Sequence, residues 1–207
     1  MVTSDKREAM RQRILETCDE IMTQSGVGGL TFDAIARRLG VSKQAVLYWF
    51  PTKQDLLRVL VLPWIQDEAA AVIEAVRDSG NAREAVAATV RALVDFHQTD
   101  LDRFRQIYMG AQLDPKPYEL MPQAHLLDEI HPVTSEMYGA LEHALTADAT
   151  FHPALPPRQA AMMVHSATLG LLMMVGLARA IDDPLAHGTD GLVATLTTLL
   201  QEGAVPA

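Results

Sequence analysis

The side chains best suited to bind a ligand lie between Thr31 and Lys53. Lys43, Gln44 and Ala45 are consecutive, and they combine a cation, an amide and a methyl group. At the edges of base pairs, lysine binds guanine or phosphate, glutamine pairs with adenine, and alanine contacts the thymine methyl group. Nearby hydroxyl groups, an indole N–H and a second lysine suit the phosphate backbone, and they belong to Thr31, Ser42, Tyr48, Trp49 and Lys53. This stretch is therefore predicted to bind nucleic acid.

Residue types that support catalysis or metal binding do not form a comparable group. The sequence shows no glycine-rich phosphate loop, no nucleophile elbow and no isolated pair of carboxylates. Cys18, the single cysteine, lies on an apolar helical stripe and is interpreted as a buried side chain rather than a reactive thiol. His125, Asp128 and His131 could converge on a metal, but Pro132 disfavours a regular helix through them. We therefore predict no enzyme activity, no metal site and no cofactor.

Two short predicted helices carry the candidate nucleic-acid residues. Thr31 is a favourable N-cap for the first helix, and Gly40 ends it. Ser42 is a second N-cap and opens a helix over residues 43–50. Two helices of this length, joined by a short turn that contains glycine, form a helix-turn-helix.

Two further helices complete the N-terminal region. Apolar residues at steps of three and four predict a helix over residues 6–25. Gly26 should end that helix, because glycine adopts left-handed turn conformations without a steric penalty. Thr52 and Asp55 form a variant capping box, with Asp in place of Glu, which should open a third helix after the helix-turn-helix.

The order and spacing of these residues resemble the DNA-binding domain of the TetR family of transcriptional repressors. The resemblance is carried by the runs Leu30–Lys43 (LTFDAIARRLGVSK) and Tyr48–Leu57 (YWFPTKQDLL). It implies an all-α protein whose N-terminal three-helix head, residues 1–55, contains the helix-turn-helix. It also implies that residues 56–207 form a C-terminal helical domain for ligand binding and dimerisation, where the sequence matches only in length and helical content.

One position departs from the family's usual recognition helix. The family commonly has a tyrosine that contacts phosphate at the position of Leu47. Tyr48 or the indole N–H of Trp49 would have to supply that contact here.

Composition and charge are compatible with this organisation. The chain has 207 residues, of which 49% are apolar, and this content excludes a disordered protein. Its net charge of −9 is unevenly distributed, because residues 1–62 carry +2 and the remainder carries −11. A single cysteine and a charged N-terminus without an apolar run predict a reduced, cytoplasmic protein that lacks a secretory signal.

The rest of the chain is predicted to be helical. A long helix over residues 56–79 contains Pro63, which should kink it and would be either a switching hinge or a tolerated kink. An irregular segment rich in proline lies between residues 112 and 133. The helices around it are predicted over residues 81–98, 101–112 and 133–147.

Residues 160–178 are apolar on all sides and nearly long enough to span a bilayer. We do not predict a membrane span, because His165, Ser166 and Thr168 interrupt the segment. A soluble helix without a polar face must be covered on every side, so one face should meet a partner subunit. The last helix offers a matching stripe of Leu192, Leu196, Leu199 and Leu200, which predicts a four-helix interface in a homodimer.

The effector pocket is the least specific prediction. Aromatic and methionine side chains of the C-terminal domain could line it, since methionine adapts to irregular apolar ligands, although such stripes also form ordinary cores. The candidate ligand-binding residues are Trp64, Phe96, Phe104, Tyr108, Met109, Met137, Tyr138, His165 and Met173, with Tyr118, Met121, Met162 and Met174 as further candidates. A small apolar or amphipathic molecule is the predicted effector.

These observations together predict a ligand-responsive transcriptional regulator. It would be a repressor that leaves a near-palindromic double-stranded DNA operator when the effector binds. Two alternatives remain open. One is an effector-independent architectural DNA-binding protein, which would lack a pocket in the second domain. The other is a helical small-molecule-binding protein or enzyme with a degenerate head, which would lack sequence-specific affinity for DNA.

Overall fold

A computed structural model describes residues 2–110, 126–152, 154–184 and 186–204, with side chains from residue 7 onward. The described residues form nine α-helices and no strands, which confirms the all-α prediction. A π-helical turn, Leu126–Ile130, precedes the seventh helix. The helices are α1 (Val2–Gly29), α2 (Phe32–Leu39), α3 (Lys43–Trp49), α4 (Lys53–Arg77), α5 (Ala82–Gln98), α6 (Leu101–Tyr108), α7 (His131–Ala147), α8 (Pro157–Ala180) and α9 (Thr189–Ala204).

The chain divides into two compact units. The first comprises residues 1–64 and 102–127, and the second comprises residues 65–101 and 128–207. The division falls inside α4, directly after Trp64, and α4 continues through Pro63.

In the first unit, the apolar stripes predicted from the sequence face one core. Ile14 and Cys18 of α1 pack with Leu30, Ile35 of α2 and Val46 of α3, and all five are at most 1% exposed. Burial, with a smaller contribution from the neighbouring Asp19 carboxylate, raises the pKa of the Cys18 thiol to about 12. The interpretation of Cys18 as a buried, unreactive side chain is therefore confirmed.

The ends of the helices in this unit follow the predicted capping residues. Gly26 has a φ of 66° and breaks the helical geometry inside α1. Gly40, with a φ of 69°, ends α2 and donates its N–H to the carbonyls at the end of that helix. Thr52 and Asp55 form the reciprocal bonds of a capping box, with the Asp55 N–H donating to Thr52 Oγ1 over 3.0 Å and the Thr52 N–H donating to Asp55 Oδ2 over 3.2 Å. The predictions at Gly40 and at Thr52 and Asp55 are confirmed, whereas Gly26 kinks α1, which ends only at Gly29.

The second unit is a bundle in which α8 packs against α5, α7 and α9. Gln201 of α9 donates to the backbone carbonyl of Arg83 over 2.8 Å, which ties α9 to α5. The predicted start of α7 near Val133 is wrong by two residues, because the helix begins at His131 with Pro132 in its first turn. Proline is tolerated there, since the first backbone N–H groups of a helix have no partner inside it.

Among the described residues, α8 alone has the length and hydropathy to cross a membrane. Its buried residues form one face within the bundle, and they include Val164, Leu172 and Val175. A core helix of a helical bundle has the same composition, so this one segment does not indicate a membrane protein.

Candidate functional site

The helix-turn-helix is formed by α2 and α3, and both helices begin at the predicted N-caps. The Thr31 hydroxyl accepts the Ala34 N–H over 3.1 Å, and the Ser42 hydroxyl accepts the Ala45 N–H over 3.2 Å. Each cap satisfies one of the backbone donors that a helix leaves free at its start. The remaining donors and the positive end of the helix dipole are suited to an anion.

Three of the predicted phosphate-binding residues share a cavity at the start of α2. Thr31, Lys43 and Lys53 line a cavity of about 230 Å³ in the first unit. The Lys43 ammonium lies 2.8 Å from Asp33 Oδ2, and the Lys53 ammonium donates to the Val27 carbonyl over 3.1 Å. Both partners of the ion pair are about half exposed, so it adds little stability, and Lys43 can exchange Asp33 for another anion.

The remaining candidates on α3 differ in exposure. Gln44 is exposed next to the N-terminus of the helix, where a side chain that reads bases is expected. Ala45 and Trp49 are partly buried, whereas 67% of the Tyr48 surface is exposed. Among the residues predicted to contact bases, and also among those predicted to contact the phosphate backbone, one is exposed and another is partly buried.

The predicted pocket residues are divided between the two units. In the first unit Tyr108 packs edge-on against Trp64, with ring centroids 5.9 Å apart, and lies 5.2 Å from the Phe104 ring. Phe104 has no exposed surface, as in an ordinary core position. Met109, which follows α6, is partly buried.

In the second unit Met137, Tyr138 and His165 line a small cavity of about 10 Å³, a volume that holds roughly one water molecule. Phe96 packs edge-on against the His97 ring instead, at 5.2 Å, and Met173 is partly buried on α8. The further candidates Met162 and Met174 are exposed on α8, whereas Tyr118 and Met121 lie outside the described residues.

A buried polar cluster in the second unit joins four helices. Glu68 of α4 accepts a hydrogen bond at Oε1 from His165 Nε2 of α8 over 2.9 Å, and its Oε2 lies 3.6 Å from His97 Nε2 of α5. The Tyr138 hydroxyl of α7 lies 3.0 Å from His165 Nδ1. Glu68, His97 and His165 are 2%, 0% and 8% exposed. We call these four residues the Glu68 cluster.

Burial determines the protonation states of two residues of the Glu68 cluster, His97 and Tyr138. Burial lowers the pKa of His97 to about 4, against an opposing effect of the Glu68 charge, so this imidazole is neutral at neutral pH. Burial, together with the Glu68 charge, raises the pKa of Tyr138, so its phenol stays protonated. If the Tyr138 O–H donates to His165 Nδ1, the His165 Nε2–H is available to donate to Glu68.

Sequence reasoning named Tyr138 and His165 but missed Glu68 and His97. Both lie in register with the apolar stripe of their own helix, between Trp64 and Val72 in one case and after Leu93 in the other. A polar residue on a buried stripe needs a polar partner. The position of these two residues on apolar stripes could therefore have indicated a buried polar cluster.

The larger cavity of the second unit involves different residues. It measures about 740 Å³ and is an open groove between the end of α4 and the C-terminal half of α7. Ile73, Arg77, His143 and Asp148 are among its lining residues, and none of the predicted ligand-binding residues is. Hydrogen bonds from Thr150 and from the Ala82 N–H hold the pKa of the Asp148 carboxyl below its usual value.

The residues considered for a metal are not grouped in the described part of the chain. Asp128 lies in the π-helical turn and His131 is the first residue of α7, while His125 lies outside the described residues. The ranges that are described hold no group of three or more His, Cys, Asp and Glu side chains arranged for a metal ion.

Comparison with known proteins identifies the N-terminal region. The family model for bacterial regulatory proteins of the tetR family matches residues 14–60. The chain is 29% identical to the HTH-type transcriptional regulator SrpR of Pseudomonas putida over 148 residues. These residues make up 70% of this chain and 65% of SrpR. It is 28% identical over 102 residues to the HTH-type transcriptional activator FasR of Mycolicibacterium smegmatis, 49% of this chain and 47% of FasR. The match thus spans less than two thirds of either relative.

Solved structures share the fold over nearly the whole chain. A putative tetR family regulator from Shewanella sp. PV-4 covers 95% of this chain and 98% of its own, with a TM-score of 0.68 and 18% identity. FadR of Bacillus subtilis in complex with stearoyl-CoA covers 93% of this chain and 98% of its own, with a TM-score of 0.66 and 17% identity. A putative regulator from Saccharomonospora viridis in complex with choline covers 97% of this chain and all of its own, with a TM-score of 0.65 and 18% identity.

Both relatives are named as HTH-type regulators of transcription. The structural likeness establishes the fold, and the family model establishes the helix-turn-helix. Residues 14–60, which contain the helix-turn-helix, are thus similar to bacterial regulatory proteins of the tetR family.

Proposed function

We propose that the protein is a ligand-responsive transcriptional regulator that binds a near-palindromic operator as a homodimer. The observation that carries this proposal is the helix-turn-helix itself, in which two capped helices present Gln44 and a cavity flanked by Lys43 and Lys53. Gln44 would contact base edges in the major groove, while the two lysines would bind phosphates. The excess of positive charge in residues 1–62 supports this assignment within an otherwise acidic chain.

The proposed dimer uses α8 and α9. On α8 a stripe of exposed side chains runs along one face, with Met163 61%, Met174 62% and Leu177 52% exposed. Leu199 of α9 is 62% exposed. Apolar side chains exposed in a row mark a protein interface in soluble proteins, and homodimers of this kind pair the same surface of both subunits.

The proposed effector is a small apolar or amphipathic molecule that binds the second unit. The groove of about 740 Å³ in this unit is large enough for such a molecule, whereas the cavity at Met137, Tyr138 and His165 holds roughly one water molecule. Two proteins of the same fold have been solved with stearoyl-CoA and with choline, which supports a role of this fold in binding small molecules. Release of a repressor from DNA is the proposed response, because an effector that favours one arrangement of the protein shifts its affinity for DNA.

Selection of duplexes from a random DNA pool by the purified protein tests this function. We expect enrichment of a sequence with two similar half-sites and a steep decrease of affinity with salt. Enrichment of no sequence would favour a small-molecule-binding protein or enzyme with a degenerate head. Sequence-specific binding that no small molecule alters would favour the architectural DNA-binding protein.

The dimer has its own test at Gly170. This glycine is exposed on the α8 stripe, and a Cβ atom there would meet no other atom within 4 Å. Gly170→Glu should therefore leave the subunit folded but weaken dimerisation, whereas Gly170→Ala should not weaken it. Leu196 belongs to the predicted interface stripe of α9, so Leu196→Glu should also weaken dimerisation. An unchanged dimer of both glutamate variants in sedimentation equilibrium would place the interface elsewhere.

A further inference from the structure

The N-terminal part of α1 contacts the exposed end of the recognition helix. Arg7 Nη2 donates a hydrogen bond to the Tyr48 hydroxyl over 3.2 Å, between residues 41 positions apart in the sequence. Tyr48 is the last residue but one of α3, and both side chains are exposed. Arg7 lies before residue 14, where the match to the family model begins.

Neighbouring contacts hold this pair in place. The Tyr48 ring packs edge-on against Trp49, with the ring centroids 5.4 Å apart. One helical turn after Arg7, the Arg11 guanidinium lies 5.8 Å from the centre of the Phe50 ring. The same face of α1 therefore places two guanidinium groups along the C-terminal end of α3.

The chemistry of the pair is that of hydrogen-bond donors to an anion. The Tyr48 oxygen accepts from Arg7, so the phenol proton remains available to a further acceptor. A guanidinium has five N–H donors in a planar fork and is always charged, and the bond to Tyr48 uses one of these donors. A phosphodiester offers two acceptor oxygens close together and one negative charge, which matches such a pair of donors.

We propose that Arg7 and Tyr48 together clamp one phosphate of the operator backbone, which makes Arg7 a DNA-contacting residue outside the helix-turn-helix. The inference rests on the proposed DNA-binding function. Tyr48 has two roles in this arrangement, since it donates to the phosphate and positions the Arg7 guanidinium. The clamp supplies the phosphate contact for which Leu47 has no polar group.

The test compares Arg7→Ala with Arg13→Ala. Arg13 is exposed on another face of the same helix, so both variants remove one positive charge from α1. DNA affinity is measured at several salt concentrations with a duplex that the wild type enriches from a random pool, and with a scrambled duplex. Arg7→Ala should weaken binding to both duplexes by about tenfold and lower the salt slope by about one per subunit. Arg13→Ala should weaken binding by less than about twofold, which is typical of a distant surface charge.

Two more variants separate the clamp from a structural role of the same hydrogen bond. Arg7→Lys keeps the charge but lacks the fork, and it should restore the salt slope but only part of the affinity. In a Tyr48→Phe background, Arg7→Ala should weaken binding less than it does in the wild type, because the guanidinium has lost its positioning partner.

Three results would overturn the clamp. Equal effects of Arg7→Ala and Arg13→Ala would remove Arg7 from the interface. A lower melting temperature with an unchanged salt slope would make the hydrogen bond purely structural. Failure of the wild type to bind any duplex would overturn the DNA-binding function as well, whereas the first two results leave that function intact.

Discussion

The two units of the molecule differ in the solvent exposure of their functional polar side chains. In the first unit Gln44 and Tyr48 are exposed, and the ion pair of Lys43 is open to water. In the second unit Glu68 and His97 are buried and contact one another inside a helical bundle. Exposed polar groups exchange water for a ligand at little cost, while buried ones must be satisfied by the fold itself. Substitutions should therefore change binding in the first unit and stability in the second.

The largest effect is expected from Glu68→Ala. Removal of this carboxylate leaves His165 Nε2 buried without the acceptor that lies 2.9 Å away, and it removes the oxygen that lies 3.6 Å from His97 Nε2. A buried donor that loses its acceptor typically costs about 1 to 3 kcal/mol of unfolding free energy for each group. Urea unfolding at one protein concentration measures the loss, and Glu74→Ala, an exposed position on the same helix, should change stability by less than about 0.5 kcal/mol. Equal effects of the two variants would contradict a structural role of the Glu68 cluster.

His97 should make this stability dependent on pH. Its pKa falls from 6.5 to about 4 on folding, so the folded protein binds fewer protons than the unfolded chain between these values. The stabilising contribution of neutral His97 is complete above about pH 6.5 and is lost as the pH falls towards 4, in total about 3 kcal/mol. Urea unfolding from pH 4 to 7 should therefore show a shallower pH dependence for His97→Gln than for the wild type. Identical slopes would mean that other groups cause the acid sensitivity.

In the first unit, Gln44→Ala should affect DNA binding and leave stability unchanged. The side chain is exposed on α3, and a single contact to a base edge is worth about 1 to 3 kcal/mol per half-site. Titrations should show weaker binding to the enriched duplex, relaxed preference at one symmetric pair of positions and nearly the same salt slope. An equal loss of affinity for enriched and scrambled duplexes would show that Gln44 does not read sequence.

The sequence predicts the first unit well, because its signals are local. Thr31, Ser42 and Gly40 define helix ends through interactions within four residues along the chain, and the structure places all three as predicted. The spacing between these caps fixes the helix-turn-helix. The contact of Arg7 with Tyr48 was not predictable in this way, because it joins residues 41 positions apart.

The second unit is less predictable, because its polar contacts are long-range. The helices themselves follow from apolar periodicity, and α5 and α8 lie close to where they were expected. The hydrogen bond from His165 to Glu68 spans 97 positions, and no local pattern specifies which buried polar residues meet. The predicted pocket residues were chosen by type alone, and type does not distinguish a ligand-binding side chain from a core side chain such as Phe104.

The smallest expected effect, at Thr31, separates stability from binding within the first unit. Thr31 caps α2 and is also a proposed phosphate contact beside Lys43 and Lys53. Thr31→Ala removes both roles, so it should lower the unfolding free energy by about 1 kcal/mol and also weaken DNA binding. Thr31→Asp keeps an oxygen that accepts the Ala34 N–H, so stability should stay near that of the wild type. Its negative charge would repel a phosphate in the cavity, so DNA affinity should fall below that of Thr31→Ala at low salt and approach it at high salt. Equal DNA affinities of the two variants at low salt would show that no phosphate binds at this cavity, and that Thr31 acts as a cap alone.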